Sequence, residues 1–317
     1  MTAQPEMVID AFTHIYPKGY LDFLRRLNLP TRVEDFPKLC DVQAKIDDMD
    51  RHQIHRQVLT LSTPALNMFG PAETKQAREA ARIANDGIAE VVARRPDRFI
   101  GVATLPMMDV DDALSEFDRA TGSLGLKGVQ IFSHVNERPI DDPRFFPLYD
   151  RIVERDVPIL LHPVGGDYNE RTRDYMLWLM IGWPFETSVA MARLVYSGVL
   201  EKYPRLKIVT HHLGAFIPYL ASRIQDVSRT LEKSGGSRLH SPALTYFKQF
   251  YGDTAVHGHK AALAEGYDFF GPDRILFGSD YPFVPLEETV ESVGAWNLSA
   301  EDREKILGGN AKMLFKV

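Results

Sequence analysis

Short apolar runs rich in valine, isoleucine and leucine return eight times along this chain, and that rhythm restricts the fold more than any other feature. Val8–Phe12 is the first, followed by Gln57–Leu61, Ile100–Thr104, Gly128–Phe132, Pro158–Leu161 and Lys207–Thr210. A weaker run at Phe250–Asp253 precedes the last, Arg274–Phe277. Continuous apolar runs of this length suit strands buried on both faces, the pattern of a parallel sheet. The segments between them carry helical spacing. Ala81, Ile83, Ala84, Ile88, Val91 and Val92 come close to one stripe, which Pro96 ends. Leu148, Ile152 and Val153 repeat the pattern after the fourth run, and Ala190, Leu194, Val195 and Val199 repeat it after the fifth, before Pro204.

Strands and helices alternating in this way predict an α/β chain forming a (β/α)₈ TIM barrel, a single domain over residues 1–317. The length suits one barrel of about 250 residues with insertions. A doubly wound open sheet is the alternative, but no Gly-rich phosphate fingerprint follows the first run. Two segments lengthen the alternation. Ile15 to about Lys45 carries Pro17, Pro30 and Pro37, and Tyr168 to about Glu186 carries Trp178, Trp183 and Phe185. These are extended loops after strands 1 and 5, on the C-terminal face where barrel enzymes build their active sites.

Composition narrows the partners. A net charge of −6 without a run of Lys or Arg argues against nucleic acid and leaves a small-molecule substrate as the expectation. Cys40 is the only cysteine, which excludes an intrachain disulfide and a cysteine-rich zinc site. The start, Met1–Asp10, lacks the basic-then-apolar order of a leader, and no uncharged apolar stretch approaches the roughly 18 residues of a membrane span. A soluble, cytoplasmic protein with no membrane partner is the expectation.

Four of the strands end in a residue able to bind a metal or move a proton. The first runs Val8-Ile9-Asp10-Ala11-Phe12-Thr13-His14, and the fifth Ile159-Leu160-Leu161-His162. The sixth runs Ile208-Val209-Thr210-His211-His212-Leu213-Gly214, and the eighth Phe277-Gly278-Ser279-Asp280. Strand ends converge at the mouth of a closed barrel, so residues this far apart can meet. Two imidazoles and a carboxylate form a facial set that holds a divalent ion and leaves positions open, as zinc, manganese and ferrous iron accept. Taken singly, each histidine also fits a structural hydrogen-bonding role, and Asp280 a turn anchor. The joint pattern favours chemistry. On strand six, strict alternation sends His211 and His212 to opposite faces, without saying which one enters the mouth.

The order and spacing of these motifs, with Gly128-Val129-Gln130-Ile131-Phe132 before them, resemble the amidohydrolase-related family that includes aminocarboxymuconate-semialdehyde and γ-resorcylate decarboxylases. The resemblance covers Ile9 to about Phe315. It implies metal ligands at His14, His162 and Asp280, and catalytic roles for His212 and Asp280. It also implies one divalent ion, zinc or manganese, and a homodimer. One position departs from the pattern: the family's first ligand, His or Glu, falls on Phe12, which cannot coordinate. Asp10 lies roughly 6–7 Å deeper and is read as a structural anchor rather than a substitute ligand.

Phe12, His134 and Trp183 are candidate walls of the substrate pocket, with Phe185 and Glu186 beside them, and Arg171 and Arg173 are candidate carboxylate contacts. His52, His55, His240, His257 and His259 are read as structural or surface residues. The leading reading is a lyase: non-oxidative decarboxylation of an aromatic or unsaturated carboxylic acid. The alternative is hydrolysis of a lactone, amide or related bond, with or without metal. A silent binding barrel is a third, favoured only by Phe12.

Overall fold

The computed structural model describes residues 7–165, 170–236 and 239–317. Tyr168, where the second insertion begins, and the first six residues of the chain's start lie outside them. The eight apolar runs are all strands. They are β1 (Ile9–Ile15), β2 (Arg56–Leu61), β3 (Phe99–Gly101, continued by Ala103–Thr104), β4 (Val129–Phe132), β5 (Ile159–His162), β6 (Ile208–Thr210), β7 (Tyr251–Asp253) and β8 (Ile275–Leu276). Each pairs in parallel with the next. β3 carries the ring across its own break, Val102 N donating to Leu59 O and Ala103 N to Gly128 O.

The last strand returns to the first. Ala11 N donates to Phe277 O at 2.8 Å, Asp280 N to Phe12 O at 2.9 Å and His14 N to Tyr281 O at 2.8 Å, around a parallel bridge between Thr13 and Tyr281. The chain is thus a (β/α)₈ TIM barrel. Its lumen is filled by Ile9, Val58, Ile100, Leu160, Val209 and Leu276, which pack with Leu314 and Phe315 of the C-terminal helix. A larger apolar shell lies between the strands and the outer helices. The helices fall where periodicity placed them: Thr74–Arg94, Phe146–Arg155 and Trp183–Tyr196. No described helix is long and apolar enough to cross a membrane.

Both insertions acquire structure of their own. The first forms a helix at Lys18–Arg26, a short turn at Pro37–Leu39 and a helix at Val42–Arg51, which delivers Lys45 beneath the mouth. Lys45 is fully buried, its Nζ donating to the His14 carbonyl at 2.7 Å and lying 4.7 Å from the Tyr281 ring centre. Burial pushes its ammonium down to about 7, against the charge of Asp10.

Candidate metal and active site

β1 sets the site with a local irregularity. Its register against β2 slips by one residue between Asp10 and Thr13, so an extra residue at Ala11–Phe12 turns the strand just below His14. Asp10 locks this bend. One carboxylate oxygen accepts from Phe12 N and Ser279 N, at 3.3 and 3.0 Å, and the other from Ser279 Oγ at 2.6 Å. Asp10, expected to be a structural anchor, ties β1 to the turn that carries Asp280. Burial lifts its carboxyl to about 7, although the Ser279 and Phe12 hydrogen bonds oppose that. Gly278 lets β8 come this close, since a side chain there would meet the Cβ of Asp253 at 2.9 Å and that of Phe12 at 3.1 Å.

His14, His162, His211 and His212 surround one aromatic ring. The Phe12 centroid lies 4.8 Å from that of His14, 6.0 Å from His162, 3.5 Å from His211 and 5.8 Å from His212. Phe12 is only 1% exposed, so it packs among the imidazoles instead of walling a pocket as the sequence suggested. Each imidazole is oriented by an oxygen. His162 Nδ1 donates to Pro163 O at 2.7 Å and His212 Nδ1 to Ala255 O at 2.8 Å, which leaves Nε2 of both bare. Burial, reinforced by His14 and His211, holds the His162 imidazole well below its usual range and so neutral.

His14 and Asp280 provide a direct test of whether a cation fits. Thr60 Oγ1 reaches the Thr13 carbonyl at 2.8 Å and His14 Nδ1 at 3.0 Å. Its one hydrogen satisfies the carbonyl only if the imidazole donates from Nδ1. His14 Nε2 and Asp280 Oδ1 then face each other across 3.0 Å, both offering lone pairs. A cation between them resolves that arrangement. Burial acts to raise the Asp280 carboxyl, but the surrounding histidines, His14 foremost, outweigh it and hold the group below its usual range. The residues present therefore fit a divalent ion, with a neutral, oriented His162 5.4 Å from His14 between ring centres.

Two residues of the site escaped the sequence reading. Asp253, at the end of β7, accepts from His211 Nδ1 at 2.7 Å, His212 N at 3.0 Å and Ala255 N at 3.1 Å. It fixes both neighbouring histidines at once. The strict alternation assumed for them fails because β6 ends at Thr210 and His212 is left-handed, with φ 54°. The second is His257, read as a structural or surface residue. It is exposed, yet its ligand atom and those of His212 and Asp280 all lie within 4.8 Å of one another. A Gly following it in the β7 loop was the only available hint.

A cavity of about 890 Å³ opens above, lined among others by Arg32, Thr63, Asn67, His134, Trp178 and Trp183. It meets the histidines through Trp183, 5.6 Å from His162 between ring centres. His134 and Trp183, expected to wall a pocket, both line this cavity. Arg171, Arg173 and Phe185 are exposed on the second insertion, and Glu186 is half-buried there. It is Arg32 of the first insertion that reaches the cavity, stacked 4.9 Å over Phe283. His52 faces Glu287, His55 accepts from Val8 N, and His240 is solvent-exposed, all outside the site.

Comparison with known proteins agrees with this geometry. A family model described as amidohydrolase matches residues 9–317. A γ-resorcylate decarboxylase from Polaromonas sp. is 34% identical over 292 residues, covering 88% of this chain and 89% of that protein. A 2-amino-3-carboxymuconate-6-semialdehyde decarboxylase from Dictyostelium discoideum is 32% identical over 277 residues, covering 86% and 75%. Among solved structures, a dihydroxybenzoic acid decarboxylase from Polaromonas sp., with bound manganese and the inhibitor 2-nitroresorcinol, superposes with a TM-score of 0.87. It is 31% identical, with 98% of this chain and 97% of that one covered.

Proposed function

We propose that this chain, which belongs to the amidohydrolase family, catalyses metal-dependent, non-oxidative decarboxylation of an aromatic or unsaturated carboxylic acid. The observation that carries the reading is the 3.0 Å approach of His14 Nε2 to Asp280 Oδ1 beside a substrate-sized cavity, in a chain similar to decarboxylases of such acids. His14, His162 and Asp280 would hold one divalent ion, zinc or manganese. When bound, that ion supplies positive charge to a carboxylate or hydroxyl oxygen of the substrate.

The chain's own residues do the rest. Ala255 O fixes the imidazole of His212 so that Nε2 faces the mouth side of the cluster with Asp280. His212 brings the proton that replaces the carboxylate on the ring carbon; the carbon–carbon bond then breaks and carbon dioxide departs. Asp280, held ionised, lies beside His212 in that cluster. Trp183 and Trp178 shield the reacting carbon from water, and positioning by the cavity wall supplies much of the rate. A homodimer, carried over from the resemblance, belongs to the same reading and is checked by light scattering.

Carbon dioxide release from a panel of hydroxylated benzoates, with zinc or manganese restored, is the test. Release is expected, and loss of ion-derived charge stabilisation in His14→Ala should lower it about a thousandfold. No release from any member by the metal-restored protein would overturn the reading and favour hydrolysis.

A further inference from the structure

The donors near Asp280 differ in burial. His14, which meets the carboxylate at 3.0 Å, and His162 are buried, whereas His212 is half-buried and His257 exposed, and both of these also approach it. The outer set, His212, His257 and Asp280, is compact, with the three ligand atoms mutually within 4.8 Å. The His212 and His257 rings are near-parallel, 22° apart with centroids at 6.2 Å, so neither covers the other's edge. One loop builds both halves of it: the Ala255 carbonyl pins Nδ1 of His212, leaving Nε2 bare, and His257 follows two residues later. His212, His257 and Asp280 all adopt left-handed backbone, with φ of 54°, 50° and 64°, which turns each out of its strand direction.

We propose that His212, His257 and Asp280 form a second divalent-cation position, outside the first and sharing Asp280 with it. Two imidazoles and one carboxylate select zinc and similar transition ions over magnesium or calcium, which take oxygen ligands. The exposure of His257 leaves the remaining coordination positions to water. A cation here takes Nε2 of His212, the atom that delivers the proton in the reading above, on which this consequence rests. Zinc beyond one equivalent therefore inhibits the enzyme.

The test is zinc titration of the metal-stripped protein, followed by calorimetry and by competition with a chromophoric chelator. Wild type is expected to take two equivalents, the second more weakly, and His257→Asn and His162→Ala one each. Asparagine is chosen at 257 because it tolerates the left-handed backbone. Inhibition by excess zinc should require at least a tenfold higher concentration in His257→Asn, while magnesium should produce no second binding event. Equal stoichiometry and affinity in wild type and His257→Asn would overturn the second position. If a single equivalent is lost in His162→Ala and kept in His257→Asn, the outer position fails and the inner one stands. If it is lost in His257→Asn and kept in His162→Ala, the outer position stands and the inner placement fails.

Discussion

His14, His162 and His211 are buried, whereas His212 is only half-buried and His257 is exposed. The same side chain is put to different use in the two groups. Burial keeps His162 and His211 neutral, so each offers a fixed donor and a bare lone pair. Nε2 of His211 is buried without a hydrogen-bond partner among the described residues, packed flat on Phe12. The outer imidazoles keep access to solvent, and one of them can exchange a proton or a cation with it. Burial alone thus divides imidazoles gathered near one carboxylate into a dry set and a wet one.

Asp253 joins the two groups, and removing it should have the largest effect on the contrast. Asp253→Ala strands the donors of His211, His212 and Ala255, and should cost about 3 kcal/mol or more, at roughly 1–3 kcal/mol for each stranded buried donor. Urea unfolding monitored by fluorescence reads this, and a loss below about 1 kcal/mol would show that the loop holds its histidines by other means.

Lys45 tests how dry the inner side is. Its folded value, about 7, lies below the unfolded 10.5, so its contribution to stability is complete above pH 10.5 and is lost as pH falls towards 7. Over that window the folded protein should lose about 1.4 kcal/mol per pH unit from this group. Lys45→Met should flatten that slope in denaturation curves recorded between pH 7 and 10. An unchanged slope would mean the ammonium is solvated.

The smallest expected change sharpens the division itself. Phe12→Glu places a carboxylate among the inner imidazoles and should tighten binding of the first ion about tenfold or more, a change typical of edits around a metal. Chelator competition measures it. Weaker binding would show that the aromatic packing of Phe12 on His211 matters more to the site than another ligand.

Much of this was legible beforehand, for physical reasons. Strands buried on both faces must be apolar throughout, so all eight could be seen in the residue order, and a parallel barrel has one mouth, which picks out His14, His162, the His211-His212 pair and Asp280 as neighbours. The resemblance of those motifs to a known family added the roles. Alternation failed at His211-His212 because it assumes an unbroken strand, and the strand stops one residue earlier. Asp10 was correctly read as an anchor, but its partner Ser279 is 269 residues away and no local pattern points to it.

What the sequence determined by itself is the barrel and the strand ends that carry candidate donors, because both depend on residue type and on order along the chain; the departure at Phe12 was visible only through the family resemblance. Where Phe12 lies was decided only in three dimensions: the one-residue slip in β1, the closure of β8 through Gly278 and the stacking on His211 together place its ring among the histidines. The same holds for His257, whose left-handed turn brings it to Asp280. Periodicity reports which face of a regular element is buried, and both placements arise where the regular elements end.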